Sequence, residues 1–124
     1  MGLFTKTELE KLEKHLNKKN LSFDKKEDKI SFEIAMNKNS YSLFPYLKIT
    51  NDDNFSFCVN LRKIEKLNYE TLNKFNLKSK YFTAKVNSNI LYLEYNTILN
   101  DNVIFIFDSL INELFSLEEE IDNL

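Results

Sequence analysis

Residues 73–95 read NKFNLKSKYFTAKVNSNILYLEY, and this stretch decides the fold. Its apolar residues alternate with polar ones in two runs, made of Phe82, Ala84 and Val86 and then of Leu91, Leu93 and Tyr95. Alternation with a period of two is typical of half-buried β-strands. Residues 87–89 (Asn-Ser-Asn) form a short hairpin loop between the runs, because asparagine tolerates positive φ. The stretch therefore predicts the end of a helix that leads into a β-hairpin.

A helix is predicted near the amino terminus. Residues 5–8 (TKTE) match a capping box, and Phe4 is placed as one half of its hydrophobic staple. The apolar stripe of this helix consists of Leu9, Leu12 and Leu16. Residues at this spacing lie on one side of a helix, so the helix covers an apolar surface with a single side and ends near residues 19–20.

Two further helices follow along the chain. Asn68 is suited to cap a short helix over residues 69–76. Asn100 or Asp101 is suited to cap a final helix, which has the strongest helical periodicity in the sequence. Its apolar stripe consists of Val103, Phe107, Leu110, Leu114, Leu117 and Ile121. This stripe predicts a helix that packs against the core.

Three strands are predicted between the first helix and Asn68. Residues 29–36 alternate between apolar and polar, and a second strand follows over residues 41–50 after a turn at residues 37–40. Pro45 cannot donate to a ladder, which implies an edge position or a bulge. After a turn at residues 51–54, the third strand carries Phe55, Phe57, Val59 and Leu61 on one face.

The predicted order of elements is α-β-β-β-α-β-β-α. Short connections favour antiparallel neighbours, so we expect an α+β fold with a five-stranded antiparallel sheet and the first and last helices packed on one face. A chain of 124 residues and 14.8 kDa is the size of one domain, here spanning residues 1–124.

This element order, together with the blocks FNLKSKYFTAKV (residues 75–86) and LYLEYNTIL (residues 91–99), resembles the YbjN family. That family has the fold of type III secretion chaperones. The resemblance covers nearly the whole chain and implies a small, acidic, often dimeric module with a protein-binding or chaperone-like role. It implies no catalytic residues.

Composition and segment lengths predict where the protein resides. Hydrophobic residues make up 43% of the chain and charged residues 29%, which is the balance of an ordinary globular domain. Cys58 is the single cysteine, so no internal disulfide can form and a reducing compartment is expected. Residues 1–11 lack the apolar segment of a secretory signal, and the longest apolar run, residues 103–107, is too short to cross a bilayer. We expect a cytoplasmic protein that does not bind a membrane.

The available side chains argue against an enzyme. His15 is the only histidine, so metal sites with two histidines are excluded, and we interpret it as a residue at a helix boundary. The only glycine, Gly2, excludes the glycine-rich loops of nucleotide-binding proteins. The carboxylates at residues 52–53 lack further oxygen ligands for calcium, and those at residues 118–120 diverge around a helix. We expect no catalytic residue, cofactor, metal ion or small-molecule substrate.

Charge is distributed unevenly along the chain. Lys85 is the last cationic residue, and residues 86–124 hold eight carboxylates. Opposite charges in two halves are typical of halves that pack together, and an acidic partner-binding surface is the alternative. The lysines of residues 11–26 alternate with carboxylates, so little net field remains there. Abundant lysine also accompanies the asparagine and isoleucine usage of an AT-rich genome, and we expect no nucleic-acid partner.

We assign the apolar residues of each predicted strand to the sheet face that packs against the helices, which leaves a second face of the sheet. It would carry Phe44, Tyr46, Cys58, Tyr81 and Tyr92. Aromatic residues on a solvated face are a candidate partner-binding surface, of which we select Phe44, Tyr46, Tyr81 and Tyr92. The alternative is that tyrosine simply suits strands.

Two functions follow from these features. The first is a protein-binding or chaperone-like module, expected to be a homodimer, that holds a protein client on this face or on the middle helix. The second is an immunity protein or antitoxin that neutralises a basic partner with the acidic residues 118–120.

Overall fold

The structure is a computed structural model that describes residues 5–27, 29–36, 41–50, 52–100 and 102–124, with only the backbone of residues 5 and 6. The helices are α1 (Thr5–Lys18), α2 (Tyr69–Lys78), α3 (Val103–Ser116) and α4 (Glu118–Asp122). The strands are β1 (Phe23–Lys26), β2 (Lys29–Phe32), β3 (Ile34–Ala35), β4 (Ser42–Leu43), β5 (Tyr46–Ile49), β6 (Asn54–Lys63), β7 (Thr83–Asn87) and β8 (Ile90–Ile98). The protein is therefore of the α+β class. Phe4, Asp101 and the predicted turn at residues 37–40 lie outside the described residues.

The strands form two antiparallel sheets. Six of them lie in the order β1-β2-β5-β6-β8-β7, and β3 and β4 pair as a separate two-stranded sheet. The predicted single sheet of five strands is wrong, because the large sheet has six strands and β3 and β4 form a second sheet. Strand β1 was not predicted, because three of its four residues are exposed and its pairing with β2 comes from backbone hydrogen bonds rather than from an apolar pattern.

Each of the first two predicted strands is broken in two. The chain leaves the large sheet after Phe32 and returns to it at Tyr46, and the segments between pair as β3 and β4. Pro45 stands at this return, where its carbonyl accepts a hydrogen bond from the Phe32 N–H at 3.2 Å. The interruption occurs here because proline has no N–H with which to continue the ladder. Strand β5 itself is an interior strand, so of the two alternatives expected for Pro45, an edge position or a bulge, the edge position is excluded.

The helix ends show which local signals operate. Asn68 caps α2 as predicted, since its side chain accepts a hydrogen bond from the Thr71 N–H at 3.2 Å. The predicted cap of the last helix at Asn100 or Asp101 is wrong, because Asn102 occupies the N-cap position without a side-chain cap hydrogen bond. That helix is also interrupted at Leu117, whose φ of −101° and ψ of 15° separate α3 from α4.

The hairpin of the opening stretch is confirmed. Asn87 and Ile90 pair across β7 and β8, which leaves Ser88 and Asn89 as a two-residue loop. Their φ angles are 51° and 64°. Positive φ at both loop residues is the type I′ geometry, whose twist matches that of the flanking strands.

One cluster of buried apolar side chains joins α1, α3 and the six-stranded sheet. Ile30, Leu47 and Phe57 are direct cross-strand partners, so they lie on the same face, and all three are buried in this cluster. The Phe57 ring centroid is 5.8 Å from that of Phe82 and 6.3 Å from that of Phe107 on α3. The core therefore occupies one face of the sheet. The alternate residues of the same strands form the opposite face, called here the second face.

The segment between α2 and β7 is fixed by the side chain of Glu113 on α3. Its Oε1 accepts hydrogen bonds from Ser79 Oγ at 2.7 Å, from the Tyr81 N–H at 2.9 Å and from the Phe82 N–H at 3.1 Å. Its Oε2 accepts one from the Lys80 N–H at 3.1 Å. Three successive backbone N–H groups thus surround one carboxylate, which ties the start of the hairpin to the last long helix.

A second side chain joins α2 to the edge strand β7. Asn76 Oδ1 accepts a hydrogen bond from the Ala84 N–H at 2.7 Å, and its Nδ2 donates to the Ala84 carbonyl at 3.2 Å. The amide of Asn76 therefore takes the place of a neighbouring strand at this point of the edge, which satisfies both backbone groups.

Within the described residues, no helix is long and apolar enough to cross a membrane.

Candidate functional site

The second face is built from side chains that alternate with the core residues of the strands. Its central row runs across β2, β5, β6, β8 and β7 in direct register. The residues of this row are Ser31, Tyr46, Cys58, Glu94 and Thr83. On the next row, Asn60 pairs with Tyr92, and Tyr92 pairs with Lys85. The face therefore carries aromatic side chains between polar ones.

Three of the four predicted partner-binding residues lie together on this face. Tyr46, Tyr92 and Asn60 line one shallow depression, and Phe44 and Asn60 line the neighbouring one. The three aromatic residues Phe44, Tyr46 and Tyr92, called here the aromatic patch, thus lie around Asn60. Phe44 is 63% exposed, whereas Tyr46 and Tyr92 are half-buried. An exposed phenylalanine beside two anchored tyrosines is suited to cover another apolar group.

Tyr81, the fourth predicted residue, is not on the second face. It packs against the core cluster, with its ring 5.8 Å from that of Tyr95 in an edge-to-face arrangement. The prediction extended the strand alternation backwards from Phe82. Strand β7 begins only at Thr83, and the residues before it curve around Glu113. A residue in this curved segment does not follow the period of two, so its face could not be assigned from spacing.

Tyr46 is held in place by contacts on two sides. Cys58 is its direct cross-strand partner, and interaction with the Cys58 thiol together with burial raises the pKa of Tyr46 to about 12. Lys29 Nζ lies over the Tyr46 ring, 4.3 Å from its centroid, in cation–π geometry. Tyr46 is therefore a neutral, fixed aromatic group at physiological pH. Such groups lose little conformational entropy when they bind a partner.

Cys58 is 7% exposed, and burial raises its pKa. Because the thiolate is the nucleophilic form, this thiol is protonated and poorly reactive at neutral pH. His15 lies away from Cys58, on the core side of the sheet. His15 packs edge-on against Phe107 on the core side and lies 2.8 Å from Asp108 Oδ1, which confirms its position at the helix boundary. These two side chains do not form a catalytic pair.

A series of side-chain hydrogen bonds crosses the second face beside the aromatic patch. Lys85 Nζ and Asn96 Nδ2 both donate to Glu94 Oε1, at 2.9 and 2.8 Å, and Ser56 Oγ donates to Asn96 Oδ1 at 2.6 Å. The hydrogen bond from Lys85 to Glu94 raises the pKa of Lys85. Sequence reasoning missed Asn60 as a neighbour of the patch. Its place between Tyr46 and Tyr92 depends on the pairing of β6 with β8, which no local pattern encodes.

Within the described residues, no group of three or more His, Cys, Asp or Glu side chains is placed to hold a metal ion. Comparison of the chain with protein-family models, with curated proteins and with solved structures finds no match. A functional assignment therefore depends on the chemistry of the second face.

Proposed function

We propose that this protein is a non-catalytic protein-binding module of the chaperone-like type, and that it holds a protein client on the aromatic patch. The observation that supports this most directly is the arrangement of Phe44, Tyr46 and Tyr92 around Asn60 on the sheet face opposite the core. Aromatic residues held in fixed positions are the common anchors of protein interfaces. Covering the exposed Phe44 side chain would contribute roughly 1–2 kcal/mol of apolar burial.

The strand blocks at residues 75–86 and 91–99 favour a YbjN-like module with the fold of type III secretion chaperones. On this proposal the protein is cytoplasmic and forms a homodimer. A two-fold dimer brings the same patch of both copies together, so a patch with an exposed aromatic centre is compatible with self-association. Client and second copy would then share one type of contact, which is apolar burial around Phe44.

The immunity-protein or antitoxin alternative has less support. It requires the carboxylates of residues 118–120 to face a basic partner together. Glu118 is only 1% exposed, and Glu120 pairs with Lys78 on α2. Glu119 is the one member of this run that is exposed. The predicted divergence of these three residues is confirmed, and it leaves a small acidic surface for substrate mimicry.

The proposal is tested with a pair of matched variants. Phe44 on the patch and Phe105 on α3 are exposed to 63% and 69%, so Phe44→Ser and Phe105→Ser remove equally exposed rings. Sedimentation velocity measures self-association of each variant. A photo-reactive benzoylphenylalanine at either position, expressed in the native cells, captures neighbouring proteins.

We expect adducts and self-association to depend on position 44 and not on position 105. Equal adducts from the two positions, with unchanged sedimentation of Phe44→Ser, would show that the aromatic patch is not the contact surface.

A further inference from the structure

Three lysines on the second face lie in one line across three neighbouring strands. Lys26 on β1 pairs directly with Lys29 on β2, and Lys29 pairs directly with Lys48 on β5. All three are exposed. Directly opposite residues of antiparallel strands have Cβ atoms about 4.5–5.5 Å apart. The three ammonium groups, called here the lysine row, are therefore held within reach of a single ligand.

The lysine row makes no ion pair within the part of the chain that the structure describes. None of its members takes part in an ion pair there, whereas Lys25, next to Lys26, pairs with Glu13 at 3.1 Å. Like charges directly opposite each other destabilise a sheet. Abundant lysine explains why the chain contains many cations, but it does not explain why three of them stand in register on one face.

The surroundings of the lysine row limit what can bind to it. Glu27 and Asp52 are exposed at the adjacent turns, and Asp24 lies one row away on β1. These carboxylates would repel a long polyanion that extends past the row. One side of the Tyr46 ring is covered by the Lys29 ammonium, so it is not available to stack on a nucleobase. Both features favour a short ligand with few carboxylates over a nucleic acid.

We propose that the second face binds an extended acidic segment of a client polypeptide, whose carboxylates contact the lysine row while a neighbouring apolar side chain covers the aromatic patch. This inference rests on the proposed protein-binding function and specifies the chemistry of the client. Lys29 belongs to both surfaces, because its ammonium lies in the row and over Tyr46. Lys48 and Phe44 are four residues apart, which limits the distance between their Cα atoms to at most about 13 Å. The client segment therefore carries its acidic residues within about four positions of its apolar anchor.

The substitution Lys48→Glu separates binding from folding. It replaces a repulsive pair with Lys29 by an attractive one, so the midpoint of thermal unfolding should rise while affinity for an acidic ligand falls. Loss of binding in a more stable variant cannot result from misfolding. Lys14→Glu is the control, because it makes the same change of charge at an exposed position on α1.

The ligand chemistry is read from a display library of random twelve-residue peptides selected on the full-length protein. Enriched peptides should carry Asp or Glu within about four residues of an aromatic or large aliphatic residue. Their affinity, measured by fluorescence anisotropy, should fall roughly tenfold with Lys48→Glu and remain unchanged with Lys14→Glu. Parallel measurements use a twenty-nucleotide oligo-dT and vesicles that contain phosphatidylserine.

The outcomes distinguish this inference from the function on which it rests. Peptides that lose affinity with Phe44→Ser but not with Lys48→Glu would leave the protein-binding function standing and overturn the acidic-segment inference. Tighter, Lys48-dependent binding of oligo-dT or vesicles would make the lysine row a phosphate site and overturn the inference as well. A selection that enriches no peptide would contradict both proposals.

Discussion

Removal of the Glu113 carboxylate should destabilise the protein more than removal of the carboxylate of an exposed glutamate on one of its helices. Glu113→Ala takes away the acceptor of four hydrogen bonds, three of them from the backbone N–H groups of Lys80, Tyr81 and Phe82. A hydrogen bond to a charged group contributes about 1.5–3 kcal/mol. The Phe82 N–H keeps Ser79 Oγ at 2.9 Å, and water can reach the exposed Lys80 N–H.

Glu113→Ala should therefore lower the free energy of unfolding by about 2–3 kcal/mol. This is a large part of the roughly 5–15 kcal/mol of unfolding free energy that is typical of a domain. Glu113→Gln keeps one carbonyl acceptor but loses the charge, so its cost should be about 1 kcal/mol. Glu70→Ala is the matched control on α2, since Glu70 makes only an exposed ion pair with Lys74 at 3.3 Å. Its loss should be at most about 0.5 kcal/mol.

Urea denaturation followed by circular dichroism measures these differences, and amide hydrogen exchange locates them. The N–H of Tyr81 should lose protection in Glu113→Ala before the strand amides of β8 do. If Glu113→Ala and Glu70→Ala cost the same within 0.5 kcal/mol, which is the usual range of surface substitutions, the carboxylate does not hold the start of the hairpin and the reasoning is refuted.

Further predictions concern the core, the hairpin loop and the tyrosines. Leu110→Ala should cost about 2–5 kcal/mol in urea denaturation because Leu110 is fully buried, and Phe105→Ala, at an exposed position of the same helix, should cost less than about 1 kcal/mol. At Ser88, whose φ is 51°, Ser88→Asn should raise the unfolding midpoint and Ser88→Val should cost about 1–2 kcal/mol, since asparagine tolerates positive φ better than serine and a β-branched residue tolerates it least; equal effects would contradict the assigned loop geometry. The pKa of Tyr46 is raised from 10.0 to about 12, so its contribution to stability is present below pH 10 and is lost as the pH rises towards 12. Two tyrosines should ionise at the highest pH in a titration of tyrosinate absorbance, because burial also raises the pKa of Tyr41 to about 12. Tyr46→Phe should remove one of these two high-pH steps.

Both proposals depend on the same few contacts of the second face. The position of Lys29 over the Tyr46 ring joins the aromatic patch to the lysine row. A client that contacts both surfaces would meet a face that is already fixed before binding. Preorganisation of this kind reduces the entropy lost on association.

Several features of this protein were predictable from short stretches of its sequence. The Asn68 cap, the position of the hairpin turn and the apolar stripe of α3 were identified correctly, although the loop has two residues, Ser88 and Asn89, and not the predicted three. Each depends on interactions between residues within a few positions of one another, so backbone preference and side-chain spacing are sufficient to determine it.

Other features were decided by contacts between distant parts of the chain. Tyr81 turns towards the core because Glu113, far along the sequence, binds its N–H, and β1 exists because its backbone pairs with β2. The lysine row depends on the register of three strands, which places Lys26 and Lys48 on either side of Lys29. The sequence by itself thus determined the segments that carry a strong apolar period and which of their sides are apolar. Only the tertiary structure decided which segments lie side by side, because pairing energy comes from backbone groups that every residue shares.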